Sequence, residues 1–544
     1  SVGEGEIEVF RTLDSPEKLA SHFKDENFDR GLGHTRWATH GKVTIENAHP
    51  QTSSCGNVCI VHNGVIENAE EIKKSLLNKK YKFSGDTDTE VLVNLIAHFY
   101  KKINKKYNGD SGRLKAIKSA LNSVEGTYGL GIMFKDSPDK IYGARRSSPL
   151  IVGVGKGESF LASDANALPP HIEKVIYLED EQIVSISKED FSIHWLKSGS
   201  DIDGFAKIKR IKARKQRANI GEHSCYMEKE IFEQPNAIRE TLRGRFCDDY
   251  SCIKLGGIDL DRKISRILFL GCGTAYHAGL LGKYYMENIA GIPTSVEYSS
   301  EFKYKNNPTE DDTLVIAISQ SGETLDTLTA IQEAKSRGFN TMAITNVVSS
   351  SIAREVPEGI YQRVGPEISV ASTKAFSSQV TILLMLAVAI GRKRDMNALE
   401  AKRYINQIRR IPDLMEQTLL LNGAMSRLGN IYHMSTSFDF LGRQYMYPIA
   451  LEGALKLKEL TYCDSHAYPS GEIKHGPLAT VWRGRRHLFL APQETLKDKN
   501  ISNIKEIMSR NGDVFLLKQK GQEFPDDSYS EIIEIPKCKD FLLP

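Results

Sequence analysis

The chain has 544 residues, 40% hydrophobic and 26% charged, a length that asks for two to four cores of ordinary globular composition rather than one. Its 72 basic and 69 acidic residues leave a net charge of +3, too even for a nucleic-acid surface spread along the chain. No run of about 18 apolar residues marks a membrane span, and the eight cysteines lack CxxC or zinc-ribbon spacing, which suits a reduced cytoplasmic setting with no metal and no cofactor.

Taken in order, the first 200 or so residues read as short strands mixed with amphipathic helices. "VCIVHNGVI" (Val58 to Ile66) is expected as strand, turn, strand, because Asn-Gly is a common hairpin turn. "KKINKKYNGDSGRLK" (Lys101 to Lys115) reads as a solvated loop. "YGLGIMF", "KIYGARR", "LIVGVG" and "SFLASDA" are short runs parted by turn residues, the pattern of stacked antiparallel sheet. "FAKIKRIKARKQRANIGEHSC" is basic and reads as a linker or surface edge strand.

After Tyr226 the texture changes. "RILFLGCG", "TLVIAISQ", "NTMAITN", "DFLGR", "HLFLAP" and "DVFLLKQ" alternate with longer helical runs, as parallel sheet with crossover helices does. "TILLMLAVAIG" (Thr381 to Gly391) reads as a buried helix. "ILFLGCGTAYHAGLLGKYYME" resembles "FDFLGRQYMYPIALEGALKLKE", and "AKSRGFNTMAIT" resembles "IMSRNGDVFLLK" in the same order, so two similar α/β domains are expected.

"LVIAISQSGETLDTL" (Leu314 to Leu328) carries the chemistry. A buried strand stops at Ser319 and gives way to hydroxyls, an amide and a glycine before a helical run. Ligands of open parallel sheets sit beyond the carboxyl ends of the strands. The unpaired N–H groups of the helix's first turn, with Ser319, Gln320, Ser321 and Thr324, make a cup of neutral donors that fits a phosphate. A Ser/Thr N-cap explains one or two of these hydroxyls, not four donor-bearing residues in six. "GCGTAYHAG" repeats the arrangement without the full GxGxxG dinucleotide fingerprint, and "SVASTKAF" (Ser369 to Phe376) offers a third small-polar turn. No Walker lysine pattern is present. Glu452, Lys456 and Glu459 recur at helical spacing on one face, as either an ion-pair face or a catalytic set.

These turns resemble the sugar isomerase (SIS) fold, whose best-known signature is "SQSGET". "EKEIFEQPNAI", "GPEISVASTKAF", "LGRQYMYPIALEGALKLKEL" and "SGEIKHGPLA" are similar to the glutamine–fructose-6-phosphate aminotransferase family, and "GLGHTRWATHG", "HPQTS", "VHNGVIEN" and "DTDTEV" resemble its class II glutamine amidotransferase domain. The resemblance implies an α+β domain of stacked antiparallel sheets, Ntn-hydrolase-like, over 1–217. A linker at 218–235 and two α/β SIS domains with parallel sheets at 236–395 and 396–544 would follow. It implies release of ammonia from glutamine, passage through an internal channel, and amination and isomerisation of fructose-6-phosphate to glucosamine-6-phosphate, the first step toward UDP-N-acetylglucosamine.

By the same resemblance, Arg36 would clamp the glutamine α-carboxylate and Asp88 its α-ammonium. Asn63 and the Gly64 N–H would form the oxyanion hole, and Trp37, Thr39 and His49 would complete the pocket. Thr274, Ser319, Gln320, Ser321 and Thr324 would hold the phosphate, and Val370 and Ser372 would line the sugar site. Ala275 stands where many relatives have serine, keeping only a backbone donor. Glu459 would move the proton between adjacent carbons, beside Lys456 and Glu452, and His475 would open the sugar ring. The family's N-terminal cysteine nucleophile and C-terminal Schiff-base lysine have no counterpart in this sequence, so the chain as written is expected to lack glutaminase activity and to be impaired as an isomerase. A homodimer or tetramer and UDP-N-acetylglucosamine feedback are implied. The alternative is a sugar-phosphate-binding SIS regulator without catalysis, for which the glutaminase motifs would have no use.

Overall fold

The computed structural model describes every residue except 1, 4–5, 15–17, 20–29, 37–41, 108, 211–219, 307–311, 483 and 526–528. Two compact units divide the chain, Ser1–Asn219 and Ile220–Pro544.

In the first unit, a two-stranded pair, β1 (Val2–Gly3) and β2 (Glu6–Ile7), precedes the main sheets. A seven-stranded antiparallel sheet contains β3 (Gln51–Thr52), β4 (Val58–Ile66), β5 (Gly126–Phe134), β6 (Ile141–Arg146), β10 (Gln182–Ile186), β11 (Phe191–Trp195) and β12 (Asp201–Ile202), in spatial order 12-11-10-6-5-4-3. A second sheet holds β7 (Ile151–Val154), β8 (Ser159–Ala162), β9 (Lys174–Tyr177) and β13 (Lys209–Arg210), in order 13-9-7-8. Alternation sorts the large sheet's side chains. Tyr128, Leu130, Ile132 and Phe134 pack under helices α1 (Asp88–Ile103) and α2 (Gly109–Leu121), while Val184, Ile186 and Ile193 pack against Val152 and Ile176 of the smaller sheet.

Two expectations fail here. Val58–Ile66 is one uninterrupted strand, paired with β5 at all nine residues, so Asn63-Gly64 makes no hairpin turn. Gly64 instead takes φ +144°, and a Cβ there would lie 2.2 Å from the Thr127 carbonyl oxygen. The glycine serves close strand approach rather than chain reversal. Lys101–Lys115 is likewise no open loop: α1 runs to Ile103 and α2 begins at Gly109. Its polar residues are the outer faces of two helices whose inner faces carry Tyr100, Ala116 and Ile117. Most of the basic stretch beyond Arg210 lies outside the described residues.

The second unit opens with α3 (Tyr226–Leu242), so a helix occupies the latter part of the stretch expected as linker. Two five-stranded parallel sheets follow. The first holds β14 (Arg266–Gly271), β15 (Thr294–Tyr298), β16 (Thr313–Ser319), β17 (Asn340–Thr345) and β18 (Glu358–Tyr361), in order 15-14-16-17-18. The second holds β19 (Ser437–Gly442), β20 (Asp464–Pro469), β21 (Arg486–Leu490), β22 (Asp513–Gln519) and β23 (Glu531–Ile535), in order 20-19-21-22-23. The repeat expected from sequence is therefore a repeat of topology.

The central strands β14 and β16 of the first sheet are almost wholly apolar because helices cover both faces. Ile267, Phe269, Leu314, Ile316 and Ile318 enter one core, and Leu268, Leu270, Val315 and Ala317 enter the other. Helix α4 (Thr274–Tyr285) crosses after β14 and α5 (Leu325–Ser336) after β16. The run from Thr381 to Gly391 lies within α6 (Lys374–Lys393), the one helix among the described residues long and apolar enough to cross a membrane, and 89% of its apolar window is buried in the first core. Helix α7 (Met446–Thr461) follows β19. Cys247 and Cys252, expected as free thiols, are joined by a disulfide, because the antiparallel bridge between Phe246 and Ile253 brings their Cα atoms to 5.4 Å.

Candidate functional site

The turn after β16 sits where the strand order places it, at the carboxyl edge of the first parallel sheet. Ser319 is buried; its Oγ accepts the Gly322 N–H at 3.0 Å and shares a 3.2 Å hydrogen bond with Thr324 Oγ1. Ser321 Oγ accepts the Glu323 N–H at 3.1 Å. Gly322 takes φ +65°, and a Cβ would stand 2.0 Å from Ser350 Oγ, so the turn closes only around glycine. Thr324 occupies the N-cap position of α5 yet makes no side-chain cap hydrogen bond. Capping therefore does not account for the Thr324 hydroxyl, while those of Ser319 and Ser321 accept N–H groups of the turn itself, and the first turn of α5 directs its N–H groups toward this edge. Asn346, after β17, donates its N–H to the Gln320 carbonyl at 3.1 Å and its side-chain amide to the Gly365 carbonyl at 2.7 Å, tying this turn to the next loop.

That next loop carries Val370 and Ser372. Val370 is 73% exposed at its tip. Ser372 Oγ donates to Glu367 Oε2 at 2.9 Å, while Glu367 Oε1 accepts the N–H groups of Thr373 and Ala375 at 2.9 and 3.1 Å. The chain thus caps α6 with its own carboxylate.

The "GCGT" turn behaves differently from expectation. Thr274 Oγ1 donates to Glu452 Oε1 at 2.8 Å, so its proton is already committed. The Ala275 N–H, expected to remain available, donates to the Cys272 carbonyl at 3.1 Å because the turn into α4 closes on itself. His277, which no spacing argument singled out, is buried with Nδ1 2.7 Å from Glu452 Oε2. Glu452 is only 6% exposed, so the solvated reading of its helical face does not hold there. Lys456 Nζ stands 2.8 Å from Glu459 Oε2 and 3.4 Å from Glu452 Oε1, linking the three in one chain of charge along α7. Glu452 and Lys456 line a cavity of about 440 Å³ with Tyr285, Phe376, Cys538 and Phe541. Ser319 to Thr324, Glu459 and His475 are not in that lining. His475 is exposed at the end of a short helical turn, its N–H donating to the Glu472 carbonyl.

In the first unit a second cavity of about 440 Å³ is lined by His34, Val61, His62, Asn63, Gly129 and Gly131, among others. Asn63 reaches it from β4. Asp88, expected to face an ammonium, is buried at the start of α1, and its two oxygens accept the N–H groups of Ile66 and Thr89, each at 2.9 Å. Arg36 Nη1 points to the Lys42 carbonyl at 3.4 Å. Trp37 and Thr39 lie outside the described residues. His49 shares a 3.0 Å hydrogen bond with His34 and another with Thr89 Oγ1, which also meets His62 Nδ1 at 3.1 Å. Burial first, then the charges of His62 and Arg36, lowers His34 to about 4. Burial, then His34, His62, Arg36 and Arg11, lowers His49 to about 2. Spacing gave no hint of this cluster, whose members come from three separate segments.

Comparison with known proteins bears on both units. The glutamine amidotransferase domain family matches residues 34–170, and the SIS domain family matches 262–389 and 431–528. A glutamine–fructose-6-phosphate aminotransferase (isomerizing) from Clostridium tetani is 42% identical over 521 residues, covering 95% of this chain and 84% of that protein. The same-named protein of Bacteroides thetaiotaomicron is 40% identical over 549 residues, 99% of this chain and 88% of that protein. Among solved structures, the C-terminal domain of glucosamine-fructose-6-phosphate aminotransferase from Francisella tularensis is 36% identical with a TM-score of 0.57, covering 60% of this chain and 93% of that one.

Proposed function

The chain belongs to the isomerising glutamine–fructose-6-phosphate aminotransferases, and we propose that its two units divide that reaction between them as the residues above allow. The enzyme converts fructose-6-phosphate and glutamine to glucosamine-6-phosphate and glutamate. Glutamine is bound in the first unit, with Asn63 and Gly64 placed to offer donors to the oxyanion that its cleavage develops, and Arg36, Trp37, Thr39, His49 and Asp88 shaping the pocket.

In the second unit the phosphate takes the donors that Ser319, Gln320, Ser321, Thr324 and the first turn of α5 present. Val370 and Ser372 border the sugar. Glu459 moves a proton between the two carbons that exchange carbonyl character, Lys456 stands between it and Glu452, and His475 serves ring opening. Thr274 acts through Glu452 rather than by giving its proton to the phosphate. Assembly as a homodimer or tetramer, feedback by UDP-N-acetylglucosamine and a cytoplasmic location belong to the same proposal and rest on family likeness alone.

The observation that carries the sugar-phosphate reading is the N-cap position of α5, occupied by a threonine that does not cap. Thermal unfolding with fructose-6-phosphate or glucosamine-6-phosphate tests it. Binding to the folded state alone stabilises by about 2.7 kcal/mol when ligand is a hundredfold above Kd. A melting temperature unmoved by millimolar ligand contradicts the reading.

A further inference from the structure

Glu230 lies on α3, far in sequence from every residue given a role above, and is only 2% exposed. Its carboxylate is turned onto one short stretch of backbone. Oε1 accepts the Ile368 N–H at 2.6 Å and the Ser369 N–H at 3.3 Å; Oε2 lies 3.3 Å from the Ser369 nitrogen and accepts the Ser369 hydroxyl. Lys229, its neighbour in the chain, and Lys374 both reach Glu233, at 3.4 and 2.7 Å. A buried carboxylate is costly unless donors satisfy it, and among the described residues two successive residues of one loop, Ile368 and Ser369, donate to it.

That loop is pinned at two further points. Upstream, Asn346 holds Val364 and Gly365, accepting the Val364 N–H at 3.1 Å, and the same residue holds Gln320 of the phosphate turn. Downstream, Glu367 holds Ser372, Thr373 and Ala375. Between these clamps stand Ile368 and Ser369, and directly beyond them the exposed Val370. Among the described residues Glu230 is what holds the 368–369 N–H groups, while the Ser369 hydroxyl also reaches the Ala371 carbonyl at 2.9 Å.

We propose that Glu230 is a positioning residue for the sugar subsite, fixing the 368–369 backbone so that Val370 and Ser372 stand beside the phosphate turn. The inference rests on the sugar-phosphate reading of this edge of the sheet. It divides the ligand into two parts. The phosphate end is gripped by a turn that Glu230 does not touch, whereas the sugar end depends on a loop that Glu230 holds.

Titration calorimetry on the full chain separates them, with inorganic phosphate and fructose-6-phosphate as the two probes. In Glu230→Gln the amide oxygen can still accept a backbone N–H while its NH2 meets the Ser369 hydroxyl, so the charge-assisted hold on the loop is weakened while side-chain size is kept. Fructose-6-phosphate affinity is expected to fall at least about tenfold, the loss of one charge-assisted contact's worth of placement. Inorganic phosphate affinity is expected to stay within about twofold. Ser369→Ala removes the hydroxyl's links to Glu230 and to the Ala371 carbonyl but leaves the backbone N–H groups on the carboxylate, and should give a smaller loss with the same selectivity. It keeps the test open should Glu230→Gln fold poorly.

Equal losses for both probes, or no loss for fructose-6-phosphate in either variant, overturns the assignment. Failure of the unsubstituted chain to bind either probe overturns instead the sugar-phosphate reading beneath it.

Discussion

His34 and His49 share a hydrogen bond between their Nδ1 atoms, so one ring donates and the other must be unprotonated there. Burial holds both well below the ordinary histidine value of 6.5, to about 4 and about 2. The consequence for stability has a definite sign. Above pH 6.5 both rings are neutral folded or unfolded, and nothing is gained or lost. As pH falls toward 4 the unfolded chain takes up protons that the folded cluster refuses, so stability declines, by about 3 kcal/mol for each ring. Thermal melts between pH 7 and 4.5 should show this decline, and His49→Gln should flatten it. An unchanged slope in that variant would remove the cluster from the explanation. At this scale the sequence reveals residue types but not partners. His277 and Glu452 are 175 positions apart and meet at 2.7 Å, and Glu230 finds its loop 138 residues away. Glu452, Lys456 and Glu459 were visible only because their partners lie within one helix.

At the scale of elements, strands and their order were legible because alternating texture and glycine-bearing ends report them directly. β5, β6, β7, β8, β14, β16, β17, β19, β21 and β22 all stand where their apolar runs put them. The misreadings share a cause. Asn63-Gly64 has hairpin chemistry but a strand's neighbours, and nine ladder pairs outweigh a local turn preference. Lys101–Lys115 is polar because only one side of each helix faces the core. Gly322 shows the reverse case, a local signal that tertiary structure enforces. Gly322→Ala would need a side chain at φ +65° and 2.0 Å from Ser350 Oγ, so Ser350 and the turn must move. We expect about 1–3 kcal/mol of destabilisation and loss of sugar-phosphate binding, read by melting temperature and calorimetry together. A variant that binds normally would show that the turn's closure is not what makes the site.

At the scale of the whole molecule, two units with separate cores carry two kinds of sheet, antiparallel in the first and parallel in the second. The second unit closes its own cores and contains every residue assigned to the sugar phosphate. Residues 220–544 expressed alone should therefore bind fructose-6-phosphate within about threefold of the full chain, by calorimetry; a loss of binding would place part of that site in the first unit. Within the second unit, Glu452 joins the repeats by accepting from Thr274 and His277 of the first while paired with Lys456 of the second. The duplicated topology was readable from sequence; the division of labour between the copies was not, since it depends on which turn keeps its donors unspent.

The most direct measurement is a crystal structure of the chain soaked with fructose-6-phosphate. The account predicts phosphate oxygens at hydrogen-bond distance, about 3 Å, from the Ser321 and Thr324 hydroxyls and the first backbone N–H groups of α5. A phosphate bound elsewhere, with Ser319 to Thr324 left without ligand, would contradict it.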